Sequence, residues 1–169
     1  MKKKILMLLS AILVVACILG ITGCGAKEKR FSKAGMHITL TTEFYEKELD
    51  GQTAYWESAR NIAIALKESY TDALAENVTT LSEYTDAVIT INKIKNAEVH
   101  TREGKDYLYF TYDRSVSGKN FFYLATTHLY EADSFWLIQF ACEAKYKEDR
   151  AELFLGWADS VCFGDTADV

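Results

Sequence analysis

Proline is absent from all 169 residues, and cysteine and histidine are scarce, at four and three. Without proline, tight turns fall to glycine and to short polar residues. No C-x-x-C pair occurs, which argues against thioredoxin-like redox chemistry. His37, His100 and His128 never fall at i, i+4 and no H-E-x-x-H is present, so each reads as a surface or packed side chain rather than a metal ligand. There is no G-x-S-x-G elbow, no P-loop, no internal repeat and no low-complexity tract. A formal charge of −5, with no Arg or Lys cluster interleaved with aromatics, argues against nucleic acid as a partner.

What is present begins with the leader. Met1–Lys4 carries three lysines, Ile5–Ile21 is almost wholly apolar, and Ile21-Thr22-Gly23-Cys24 follows at once. A positive region, an apolar region and a small-residue cleavage site stand in the order that export requires. Ile21–Cys24 resembles the bacterial lipobox, which implies acylation of Cys24 and removal of residues 1–23. A retained membrane helix is the competing reading, since the run is close to spanning length. Val14–Cys17 is a poorer second match because cleavage there would leave Ile18, Leu19 and Ile21 on the mature side.

From Cys24 onward 146 residues remain, enough for one domain with a core. The leader holds three of the nineteen basic residues and none of the twenty-four acidic ones, which leaves the remainder at minus eight. Anionic headgroups should not attract so acidic a body, and Gly25–Arg30 reads as a polar leash that holds it off the membrane. Cys142 and Cys162 are the cysteines left; an exported pair permits a disulfide, and two buried free thiols are the alternative.

The body reads as strands interrupted by two helices. Phe121–Tyr130 and Phe135–Cys142 are strand-length apolar runs joined by a polar break, the pattern of an antiparallel hairpin. In the second run both alternating sets are largely apolar, which places it inside a sheet. His37–Thr41 follows a turn at Gly35, and Ala54–Trp56 and Asn61–Leu66 read as two strands joined at Glu57–Arg60. Glu98–Arg102 and Asp106–Arg114 complete a four-stranded meander with the hairpin. Thr80 and Glu83 have capping-box spacing ahead of a helix over Leu81–Ile94. Asp149 and Glu152 offer another such pair for a helix over Tyr146–Asp159, before a short closing strand at Val161–Phe163. Helices covering an antiparallel sheet define an α+β domain over residues 31–163, with 164–169 as a tail.

Phe31–Met36 with Ile38–Thr41, Leu81–Tyr84, Phe121–Leu124, Phe135–Phe140 and Trp157–Val161 with Phe163 together resemble the PsbP-like superfamily. That superfamily takes in the extrinsic oxygen-evolving subunit, the Ran-binding Mog proteins and many uncharacterised lipoproteins. The resemblance implies a central antiparallel sheet in an α/β/α sandwich and says little about function. It also brings an association with manganese and calcium, but no ligand motif aligns here, so no metal or cofactor is expected.

Few residues invite chemistry. His128, Asp133 and Ser134 are the nearest to a nucleophile and base, and a hydrolase needs one of them exposed beside its partner. Glu143, Glu148, Asp149 and Glu152 suit a solvated helix start better than a calcium loop. The aromatic residues stand out more. Most suit a sheet core, while Tyr55, Trp56, Tyr107, Tyr109 and Tyr123 are candidates for a partner-binding face. The expectation is a lipid-anchored, extracytoplasmic, non-enzymatic binding or accessory module of the cell envelope with a protein partner. A carrier of a small molecule or lipid is second, and it predicts an enclosed apolar pocket.

Overall fold

The computed structural model describes residues 27–164. The leader, Cys24 and the tail beyond Gly164 lie outside the described residues. β1 (Glu28–Lys33), β2 (Met36–Thr41) and β10 (Cys162–Phe163) form a small sheet in the order β1-β2-β10. β3 (Tyr45–Lys47), β4 (Ala54–Glu57), β5 (Asn61–Ser69), β6 (His100–Thr101), β7 (Tyr107–Val116), β8 (Lys119–Tyr130) and β9 (Ser134–Glu143) form a seven-stranded antiparallel sheet. Its order is β3-β4-β5-β9-β8-β7-β6, so the apolar strand β9 is central. The expected meander is one side of it, and β5, β4 and β3 extend it beyond β9.

Local chemistry sets the turns. Ala34-Gly35 and Ser117-Gly118 both have positive φ, and glycine takes the second place of each two-residue hairpin at no steric cost. The β8–β9 turn has no glycine, and Glu131 and Ala132 are held at φ 50 and 33. There Asp133 N–H donates to the Tyr130 carbonyl at 3.0 Å, and Lys67 pairs with the Asp133 carboxylate at 3.1 Å.

The two faces of the large sheet bury different sets. One carries Trp56, Phe122, Leu124, Trp136, Ile138 and Phe140, and it packs against Phe31, Met36, Ile38 and Leu40 of the small sheet. The same layer receives α3 (Lys147–Asp159) through Phe154, Leu155, Trp157 and Ala158. On the other face, α1 (Tyr70–Ala75) and α2 (Leu81–Ile91) lie over Leu66, Phe110, Ala125, Phe135 and Leu137. Tyr84 of α2 stacks on Phe135 at 4.5 Å and Tyr70 stacks on it at 5.5 Å. The remaining half of that face is a separate cluster of Tyr55, Ile62, Ile64, Phe121, Tyr123 and Ala141.

Several expectations are corrected. α2 has its capping box, with Glu83 N–H donating to Thr80 Oγ1 at 3.2 Å and the Glu83 carboxylate accepting from Thr80 N–H at 3.0 Å. α3 has none: it starts at Lys147 straight from a 3₁₀ turn over Ala144–Tyr146, so Asp149 and Glu152 lie too far inside to cap it. Helix α1 was not foreseen, β6 is shorter than the expected strand, and β1 takes up Glu28–Arg30 of the presumed leash.

Gly156 lies exposed within α3, and a Cβ there would meet nothing within 4 Å. Gly156→Ala is expected to raise unfolding stability by about 0.5–1 kcal/mol, through helix propensity and a less flexible unfolded chain. Urea unfolding checks this, and a loss of stability would show that the site is crowded.

Candidate functional site

The five aromatic residues considered as a binding face do not share one. Consecutive strand residues point to opposite sides, so Tyr55 and Trp56 are parted within β4. Trp56, Tyr107 and Tyr109 lie on the α3 side, and Tyr55 and Tyr123 on the other. Tyr55, Trp56, Tyr107 and Tyr123 are all buried and Tyr109 is half-buried, so these residues are core.

Around Tyr55 and Tyr123 the register gathers groups that sequence reading missed. Glu57, 8% exposed, accepts from Tyr45 Oη at 2.7 Å, Lys47 Nζ at 2.9 Å and Tyr55 Oη at 2.8 Å. Burial opposes its ionisation, but hydrogen bonds from Tyr45, Lys47 and Tyr55 outweigh burial and hold the carboxyl below its ordinary pKa. Tyr112 stacks on Tyr123 at 4.8 Å and accepts from Gln139 Nε2 at 2.8 Å. Burial raises the pKa of Tyr55, Tyr112 and Tyr123, so these phenols remain protonated, and Tyr55 donates its hydrogen bond to Glu57. Alternation counted from Tyr55 and Tyr123 reaches Glu57 and Phe121, the only signal by which the sequence could have shown this set.

The nucleophile-and-base candidates are not assembled. Ser134 is fully buried and its Oγ accepts from Trp136 Nε1 at 3.1 Å. His128 is also buried, lies opposite Trp136 rather than Ser134, and bonds Thr126 Oγ1 through Nε2 at 2.9 Å. Packed between Tyr107 and Phe163, its imidazole is desolvated and its pKa falls to about 3. His37 bridges Ser32 Oγ at 2.7 Å and the Gly164 carbonyl at 2.9 Å, which ties the C-terminal strand to the first hairpin. His100 stacks on Tyr109.

Two half-open clefts stand out among the described residues. One of about 290 Å³ lies between the β6–β7 loop and the end of α3, with Tyr107, His128, Asp159 and Phe163 in its wall. Asp159 is held there by Arg102 Nε and Tyr107 Oη, each at 2.8 Å, and Lys105 Nζ donates to its backbone carbonyl at 2.8 Å. The other, about 310 Å³, follows the polar loop after β3. Neither is the enclosed apolar pocket that a carrier predicts. Among the described residues no three His, Cys, Asp or Glu side chains converge as metal ligands. No helix among them is long and apolar enough to cross a membrane.

Cys142 and Cys162 are free thiols, which corrects the disulfide that their number permitted. They lie in different sheets, with Cys142 opposite Asn61 and Phe122 and Cys162 opposite His37. Burial pushes the Cys142 thiol up to about 11, whereas Cys162 is exposed with Arg30 Nη2 3.6 Å from its sulfur. In the chain starting after Cys24, a thiol reagent is expected to titrate one cysteine natively and two after unfolding. Two fast native thiols would show that β9 opens.

This architecture is that of the PsbP and Mog1 proteins. Cyanobacterial PsbP from Synechocystis aligns with a TM-score of 0.58 and 16% identity, over 86% of this chain and 99% of its own. The Saccharomyces cerevisiae Ran-binding protein Mog1p aligns with a TM-score of 0.57 and 10% identity, over 85% of this chain and 98% of its own. No protein-family model matches the sequence, and no curated protein matches it. At these identities the likeness establishes the PsbP/Mog1-like fold.

Proposed function

We propose that this protein is an extracytoplasmic, lipid-anchored, non-enzymatic binding module of the bacterial cell envelope, which docks a protein partner while Cys24 supplies the anchor. The observation that carries this reading is the export and acylation pattern of Met1–Cys24 placed directly ahead of a PsbP/Mog1-like domain. The groups most able to do chemistry inside that domain are engaged in its architecture: Glu57 by three donors, Ser134 by an indole and His128 by stacking. The yeast protein of this fold is named for binding Ran, so the architecture is compatible with protein docking. Anchoring raises the local concentration of a modest binder at the membrane.

The test is intact-mass analysis of the full chain expressed in a bacterium, with Cys24→Ala alongside, and native mass spectrometry of the domain beginning after Cys24. An acylated chain starting at Cys24 that becomes soluble on substitution is the expected result, with a clean apo mass for the domain and envelope proteins captured by crosslinking. A bound small molecule lost on denaturation would overturn the docking role in favour of a carrier.

A further inference from the structure

The buried side-chain polar atoms without a hydrogen-bond partner among the described residues are Trp56 Nε1, Asn61 Oδ1 and Arg150 Nε. A polar atom taken out of water and left unpaired is costly, so such atoms are rare and mark places where something else bonds to them. Asn61 is 8% exposed and Trp56 is fully buried.

Asn61 and Arg150 meet beneath the start of α3. Asn61 lies opposite Cys142 in the β5–β9 register, and Cys142 is two residues on from Phe140, so all three share the face of the sheet that α3 covers. On the helix, the rings of Phe154 and Trp157 lie 5.8 and 5.9 Å from Phe140. Arg150 precedes them by four and seven residues, on the same side of the helix and nearer its start. Because α3 runs back from the end of β9, one helical turn of about 5 Å roughly matches the step of about 7 Å from Phe140 to Cys142. Arg150 therefore sits over Cys142 and Asn61. The Cys142 thiol agrees with this placement: burial raises its pKa most, Arg150 opposes the rise, and Asp113 and Glu143 add to it. Trp56 stands in the adjoining row of the same face, opposite Ala63.

Arg150 Nε can only donate and Asn61 Oδ1 can only accept. An anion would suit the guanidinium but would meet the amide oxygen, with Asp113 and Glu143 close by. A cation would meet the guanidinium itself. A water molecule satisfies both atoms and keeps a lone pair for a further donor such as Trp56 Nε1, in line with the roughly three bonds that buried waters make. We infer that an internal water molecule is bound between β5 and the first turns of α3, accepting from Arg150 Nε–H and donating to Asn61 Oδ1. It joins the helix to the sheet at the end where no side chain caps α3.

The test is nuclear magnetic resonance of the full chain in detergent micelles, with ¹⁵N-labelled arginine and the Arg150 Nε–H signal identified by its loss in Arg150→Met. A cross-relaxation peak between water and that Nε–H, with the sign of a water tumbling with the protein, is expected, and it should vanish in Asn61→Leu. Absence of the peak from the wild-type chain would overturn the proposal. So would a saturable shift of the signal on adding inorganic phosphate, which would assign the site to an anion. Asn61→Leu and Arg150→Met should each lower the urea midpoint, and the double variant should lose less than the two together, since paired apolar side chains need no water. Additive losses would show that the two side chains share no ligand.

Discussion

Replacing Phe154 by alanine is expected to lower the unfolding free energy by about 3–5 kcal/mol, the largest effect of any single truncation considered for this fold. Phe154 is fully buried and its ring lies 6.2 Å from Phe122, 5.8 Å from Phe140 and 5.4 Å from Trp157. It is the contact through which α3 reaches both central strands. Leu155, Trp157 and Ala158 of the same helix are buried beside it, but no side chain caps the helix start, and Gly156 weakens its interior. Undocking it would also release β10, whose attachment to β2 closes the small sheet. Urea unfolding followed by tryptophan fluorescence measures the loss, and a drop below about 1 kcal/mol would show that the cavity collapses or that α3 docks without this ring.

Much of this architecture could be read from alternation alone. The Phe121–Cys142 hairpin was legible because both faces of β9 are apolar, a pattern that only a covered central strand tolerates. Thr80 and Glu83 announced α2 because their partners are local. Asp149 and Glu152 have the same spacing yet misled, because the start of α3 is set by the chain leaving β9 through a 3₁₀ turn. The candidate face failed for a different reason. Tyr55 and Trp56 are adjacent and could have been separated by counting, but placing Tyr107 on the other face of the sheet from Tyr123 required the pairing of Tyr107 with His128. The leash read as Gly25–Arg30 was placed three residues too far along, because Glu28, Lys29 and Arg30 are polar yet pair with Thr41, Leu40 and Thr39 in β1.

Glu57→Ala is expected to cost about 2–3 kcal/mol, and the size follows from which partners are stranded. Tyr45 is 48% exposed and Lys47 is exposed, so both regain water when the carboxylate is lost. Tyr55 is 4% exposed, and its hydroxyl would remain buried without an acceptor. Glu57→Gln keeps an acceptor for Tyr55 and removes the charge, so it should cost about half as much. The pH dependence follows from the direction of the shift. With its folded pKa below the ordinary carboxylate value, Glu57 contributes stability that is fully present above the unfolded pKa and is lost as pH falls through the folded one. The wild-type chain should therefore lose stability relative to Glu57→Gln on acidification below about pH 4.5, while the difference stays constant from pH 6 to 8. A Glu57→Gln difference independent of pH down to the acid transition would mean that Tyr45, Lys47 and Tyr55 bind this side chain for its shape and not for its charge.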